Sequence, residues 1–232
     1  HRDLHLSIRR QRQMCIRDST SVGDESMSAN TTGENNTAVG VFALDANTTA
    51  SANTALGYNA LSENTTGVQN LAVGAFALDA NTTAGDNTGL GYATLSTNTT
   101  GASNTAVGHF ALYSNTTASF NTAVGRLSLD ACTTGDRNTA VGYNSGSAVT
   151  TGTQNTIVGE NAAIVLTTGN RNTIIGRDAG GVLTTGDNCL LLGHDAGKSG
   201  SPSGLVTTHD NFIVKFANSI GSVRRTNFGE YF

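Results

Sequence analysis

The sequence predicts a mainly β fold, a single-chain β-solenoid of about eleven 17-residue coils. Two observations predict it. Glycines recur at a fixed interval of 17 residues, at Gly40, Gly57, Gly74, Gly91, Gly108, Gly125, Gly142, Gly159, Gly176 and Gly193, and Gly23 extends the series one step toward the N-terminus. A fixed period without insertion is the mark of stacked repeats, each of them one coil. The 232-residue chain also has Gly 28, Pro 1, Trp 0 and only 6% aromatic residues, too few large side chains to fill a wide globular interior. A thin core spread over many similar layers satisfies that composition.

The repeat reads N-T-A-V-G-x-x-A-L-x-x-N-T-T-G-x-x. Its first five residues, as in Asn36-Thr37-Ala38-Val39-Gly40, predict a short strand ended by glycine. The residue before the glycine is always Val, Leu or Ile. With a strand period of two and one buried face, Val39, Leu56 and Val73 are expected to point into the core. The small residues Ala38, Ala55 and Ala72 then fall on the non-core face. Four residues after each glycine stands a second expected core residue, Leu44, Leu61 or Leu78, in a segment that suits either a helical turn or a second strand. Asn-Thr-Thr followed by Gly or Ala closes the coil with turn chemistry. The strand-opening Asn36, Asn53, Asn70, Asn87, Asn104, Asn121, Asn138, Asn155 and Asn172 predict a structural ladder of amides bonded along the solenoid axis, as in cross-β stacks.

Two irregularities stand out. The early coils alternate between a FALDANTTA type and a YNALSENTTG type, a unit of 34 residues. From Gly142 the leucine gives way to Gly146, Ala163 and Gly180, while Val149, Leu166 and Leu183 enter near the turn. Late strands become apolar on successive residues, Ile157-Val158 and Ile174-Ile175, which predicts an outer face covered by another copy of the chain.

Three segments follow. Residues 1–19 show no repeat and hold five arginines; RRQRQMCIRDS resembles translated adapter sequence, so they are set apart as a non-native leader, with a basic nucleic-acid-binding arm as the other reading. Residues 20–200 form the solenoid. Residues 201–232 read as an insertion and a C-terminal cap or the start of a further domain.

The motifs do not suggest catalysis. Residues 20–232 hold eight Lys and Arg against fifteen Asp and Glu, and none of the eight falls before Arg126, a balance that repels nucleic acid and anionic membrane. His109, His194 and His209 stand in different coils, so no metal site is expected. Asp45, Asp79 and Asp130 share a phase but lie two or more coils apart, too far for a carboxylate pair. Cys132 and Cys189 sit three to four coils apart, too far for a disulfide. Neither enzyme activity nor a cofactor is expected. Stacked Thr48, Thr65, Thr82, Thr99, Thr116 and Thr133 raise ice binding as an alternative function.

The runs TTGTQNTIVG, TTGNRNTIIGRDAG and TTGDNCLLLGHDAGKSGSPSG resemble the repeat regions of bacteriophage tail fibres, and are similar in style to the heads of trimeric autotransporter adhesins. The resemblance spans roughly residues 20–215. It implies a parallel homotrimer on a virion or cell surface that attaches to a host receptor or glycan, without membrane insertion.

Overall fold

The structure is a computed structural model and describes residues 18–197. Eleven strands of three residues stack in chain order as one parallel sheet: β1 (Thr20–Val22), β2 (Thr37–Val39), β3 (Thr54–Leu56), β4 (Leu71–Val73), β5 (Thr88–Leu90), β6 (Thr105–Val107), β7 (Thr122–Val124), β8 (Thr139–Val141), β9 (Thr156–Val158), β10 (Thr173–Ile175) and β11 (Leu190–Leu192). Each residue pairs with the one 17 positions on, as Thr37↔Thr54 and Val39↔Leu56, so every coil is one turn of a solenoid. Coils are numbered here by their strand. Ten steps of roughly 4.8 Å give a stack of about 48 Å. The segments 1–17 and 198–232 lie outside the described residues, and with them the expected C-terminal cap and the expected leader apart from its last two residues; Ser19 belongs to the solenoid, because it is buried and its Oγ accepts the Asn36 N–H at 3.0 Å, one coil away.

The phase of the strand is the reverse of the sequence expectation. Ala38, Ala55, Ala72, Ala106, Ala123 and Ala140 are fully buried and form the core wall, with Gly89 in the same row. Val39, Leu56 and Val73 point outward; Leu56 is 46% exposed. The interior is too narrow for a branched side chain from the strand as well as a leucine from the opposite wall. Leu44, Leu61, Leu78, Leu95, Leu112 and Leu129 occupy that space, all fully buried. The second segment is neither helix nor strand. Each of these leucines has positive φ (52° at Leu44), as does a residue two before it (58° at Phe42), so the chain turns twice and drops Leu inward. A left-handed L-residue costs about 1–2 kcal/mol; burying a leucine returns about 1.5–3 kcal/mol.

The corner glycine has no substitute. Gly57 has φ of 142°, and a Cβ there would lie 2.6 Å from the carbonyl carbon of Gly74 in the next coil. Corner backbones of successive coils touch, so only hydrogen fits.

Two amide ladders run through the interior. In the first, the amide oxygen of each strand-opening Asn accepts the backbone N–H of the Asn one coil on, as Asn53 N to Asn36 Oδ1 at 2.9 Å. Its Nδ2 donates to a turn carbonyl everywhere but at Asn121, as Asn36 to Ala50 O at 2.8 Å. The ladder is thus mainly side chain to backbone, with direct amide–amide bonds added at places such as Asn172 to Asn155, 3.0 Å. The second ladder was not anticipated. Turn residues Asn47, Asn64, Asn81, Asn98 and Asn115 are fully buried, and each Nδ2 donates to the Asn one coil before, Asn98 to Asn81 at 2.9 Å. Their Asn-Thr-Thr sequons therefore have no accessible amide in the folded rod.

Candidate binding surfaces of the rod

The sheet presents two outward rows. One is Thr20, Thr37, Thr54, Leu71, Thr88, Thr105, Thr122, Thr139, Thr156, Thr173 and Leu190. The other is Val22, Val39, Leu56, Val73, Leu90, Val107, Val124, Val141, Val158, Ile175 and Leu192. None of these residues is buried. An apolar row along all eleven strands goes beyond the scattered exposure of ordinary surfaces. The rows belong to the whole length, not to the late coils alone. The inward Ile157, Ile174 and Leu191 of those coils are buried, so their double apolarity reflects a change inside the rod and not a newly covered face.

Beside the sheet, past the glycine corner, an aromatic column spans coils 2 to 6. Phe42, Tyr58, Phe76, Tyr92 and Phe110 touch in sequence, with ring centroids 6.2, 5.3, 6.0 and 5.6 Å apart and planes 71–81° apart. Tyr113 adds a sixth ring against Phe110 at 4.9 Å. The phenylalanines come from the second position after the glycine in one coil type and the tyrosines from the first position in the other. This interlocking explains the 34-residue alternation: edge-to-face pairs need two different ring placements in neighbouring coils. At coil 7 the column ends with Arg126 and Leu127. Arg126 there bonds the Tyr143 hydroxyl at 3.3 Å and lies over its ring.

The Thr48 ladder does not offer free hydroxyls. Thr48 Oγ1 donates to Thr65 O at 3.2 Å, Thr65 to Thr82 O at 3.0 Å, and the pattern continues through Thr133. These groups bind coil to coil. The outward threonines of the sheet are the regular array that sequence reasoning missed, because the strand phase had been inverted.

Ionisable groups fall into three settings. Asp45, Asp79 and Asp130 each keep one buried carboxylate oxygen without a partner, and burial raises their pKa values, opposed by hydrogen bonds to nearby backbone. They are separate along the rod and make no acid pair. Cys132 and Cys189 are buried and unpaired; desolvation pushes the Cys132 thiol up to about 11, so it stays protonated and inert. His194, expected to stand alone, does not. Its sequence neighbour Asp195 lies against it (Nδ1 to Oδ2, 3.3 Å), stacking of the coils adds Asp178 (4.0 Å), and the three ligand atoms lie within 4.8 Å of one another. The Arg177 guanidinium already holds Asp178, Nε to Oδ2 at 3.2 Å.

No helix among the described residues is long and apolar enough to cross a membrane. Comparison with protein-family models, curated proteins and solved structures found no match. The fold and its surfaces define a class, a rod of parallel β-coils with an uncovered apolar face.

Proposed function

We propose that this chain is a structural segment of an attachment fibre, a rod that spaces and presents a binding surface on a virion, assembled as a parallel homotrimer. The carrying observation is the outward Val/Leu/Ile row, uninterrupted over eleven strands. Covering it removes apolar area from water at about 25 cal/mol per Å², and identical coils in register present the same row in every copy. The acidic residues add no barrier, since β2 to β6 and the two positions after each of those strands' glycines carry no Asp, Glu, Lys or Arg. The resemblance of the TTGxxNT runs to tail-fibre repeats points the same way; a bacterial surface adhesin head is the sister reading. Repeated weak contacts multiplied over copies suit attachment. Sedimentation of the full chain is expected to give a trimer at micromolar concentration, and a stable monomer at high micromolar concentration overturns the assembly.

A second reading, ice binding, draws on the nine threonines of the outward sheet row, spaced about 4.8 Å along the rod and lying about 6.7 Å from the apolar row. Thermal hysteresis from the purified chain favours it; none removes it.

A further inference from the structure

The aromatic column is the feature that a spacer rod leaves unused. Tyr58 and Tyr92 are 47% and 46% exposed, although Tyr58 is gripped between Phe42 and Phe76 and Tyr92 between Phe76 and Phe110, with the His109 imidazole stacked on one face of Tyr92 at 5.3 Å, which leaves its other face for a ligand. Held rings lose little rotamer freedom on binding, which is what makes an aromatic platform efficient. Neither phenol hydroxyl makes a hydrogen bond among the described residues. The same is true of the half-buried side-chain amide of Asn59, next in sequence to Tyr58. Apolar ring faces beside unpaired hydroxyl and amide groups match a ligand with both C–H faces and hydroxyl edges.

Charge and spacing narrow the class. The sheet and corner positions from Thr37 to Phe110 carry no Lys or Arg, and their one imidazole, His109, is stacked on Tyr92, so carboxylate, sulfate and phosphate groups find no permanent counterion. The two tyrosines sit two coils apart, about 9.6 Å along the axis, on the scale of two sugar units of an extended chain. A site repeated by translation suits a polymer repeated by translation.

We propose that the Tyr58–Tyr92 face binds a neutral, extended glycan chain, with sugar rings on the two tyrosines and hydroxyls bonded to the phenol and Asn59 groups. This rests on the attachment reading and names its ligand class.

The test titrates the full chain with cellohexaose, with dextran and alginate oligosaccharides as other arms, following tyrosine fluorescence and calorimetry. Expected is saturable binding of the neutral β-linked oligosaccharide and none of alginate. Tyr58→Ala with Tyr92→Ala is expected to weaken it by on the order of tenfold to a hundredfold. Tyr143→Ala, outside the column, leaves it unchanged. Tyr58→Phe with Tyr92→Phe keeps the rings and tests the hydroxyls, with a smaller loss expected. Absence of binding to cellohexaose and dextran, preference for alginate, or full binding by the double alanine variant with unchanged circular dichroism overturns the proposal. A double alanine variant that falls from oligomer to monomer also overturns it, because the column is then covered by another copy. Trimeric rods that bind no sugar refute the glycan alone, whereas a monomer that binds it refutes the assembly alone.

Discussion

Coils 2 to 7 and coils 8 to 11 trace the same path with different interiors. In the early coils a small strand residue faces a left-handed Leu, and in coils 2 to 6 a buried Asn bonds its neighbours at the turn. In the late coils the left-handed position is Gly146, Ala163, Gly180 or Gly197, the turn position is Val149, Leu166 or Leu183, and from coil 9 on the strand supplies Ile157, Ile174 or Leu191. A Cβ on Gly146 would lie 2.9 Å from Ile157 Cδ1 and 3.1 Å from Leu129 Cδ2. The strand Ile therefore fills the room that leucine vacates in the preceding coil. Glycine at φ of 63° removes the left-handed penalty, and the apolar turn residue replaces hydrogen bonds by burial. One backbone thus accepts two core solutions, provided that volume is conserved across neighbouring coils.

The join between them is marked. Cys132 stands where the turn ladder would place its next amide, and Asn115 Oδ1 is left buried without a donor. The Cys132 thiol and Asn138 Nδ2 both reach Gly135 O, and Asn121 Nδ2 has no partner. At this join the turn ladder ends for good, while the strand-opening ladder runs through it, Asn138 N donating to Asn121 Oδ1 at 2.8 Å and Asn155 N to Asn138 Oδ1 at 3.0 Å.

The comparison can be broken most forcefully by imposing the late core on an early coil. Leu112→Gly removes a fully buried side chain and is expected to cost about 3–5 kcal/mol. Adding Ala123→Ile, the counterpart of Ile157, should return a substantial part of that in chemical denaturation; no rescue would mean that the two solutions are not exchangeable. Next in size is Asn98→Leu. It orphans Asn81 Oδ1 and deprives Asn115 Nδ2 of one acceptor, at about 1–3 kcal/mol for the orphaned group. Hydrogen exchange should show the loss in the early coils and leave coils 9 to 11 protected. Thiol chemistry gives a sharper but smaller distinction: Cys132 and Cys189 should resist a thiol reagent until the rod unfolds, and rapid reaction of Cys132 in the native chain would show the join to be open. The smallest effect is on pH. Asp45, Asp79 and Asp130 lie in the early coils alone, with folded pKa values raised above 3.8. A raised pKa means that the folded state holds the proton more tightly. Their contribution is fully present below the unfolded value and is lost as pH rises through the folded value. Asp79→Asn should then raise the melting temperature at pH 7 and have little effect at pH 3.5.

Much of the fold was legible. The glycine interval carried the coil, its length and the parallel register, because a corner that excludes Cβ must recur once per turn. The strand-opening amides were legible from their strict recurrence, though not that their oxygens bond mainly backbone N–H groups, as Asn36 Oδ1 does with Asn53 N. The strand phase was not. Period two leaves open which alternate residue faces inward, and apolarity favoured Val39 over Ala38. The deciding quantity was the width of the interior, already filled by Leu44. The buried Asn47 ladder hid behind a turn signal, since Asn-Thr-Thr reads as a surface loop on local propensity. The aromatic column left a trace in the 34-residue alternation, but only stacking shows that Phe and Tyr from different positions interlock. The cluster at His194 depended on neighbours 16 residues away in sequence and adjacent in space.

Electron micrographs of the purified chain test the account most directly. Narrow rods whose repeat section is about 48 Å long, with an axial spacing near 4.8 Å and threefold end views, are the predicted result. Rounded particles without the axial spacing would contradict the stacked coils, and single-chain rods would contradict the covered apolar row.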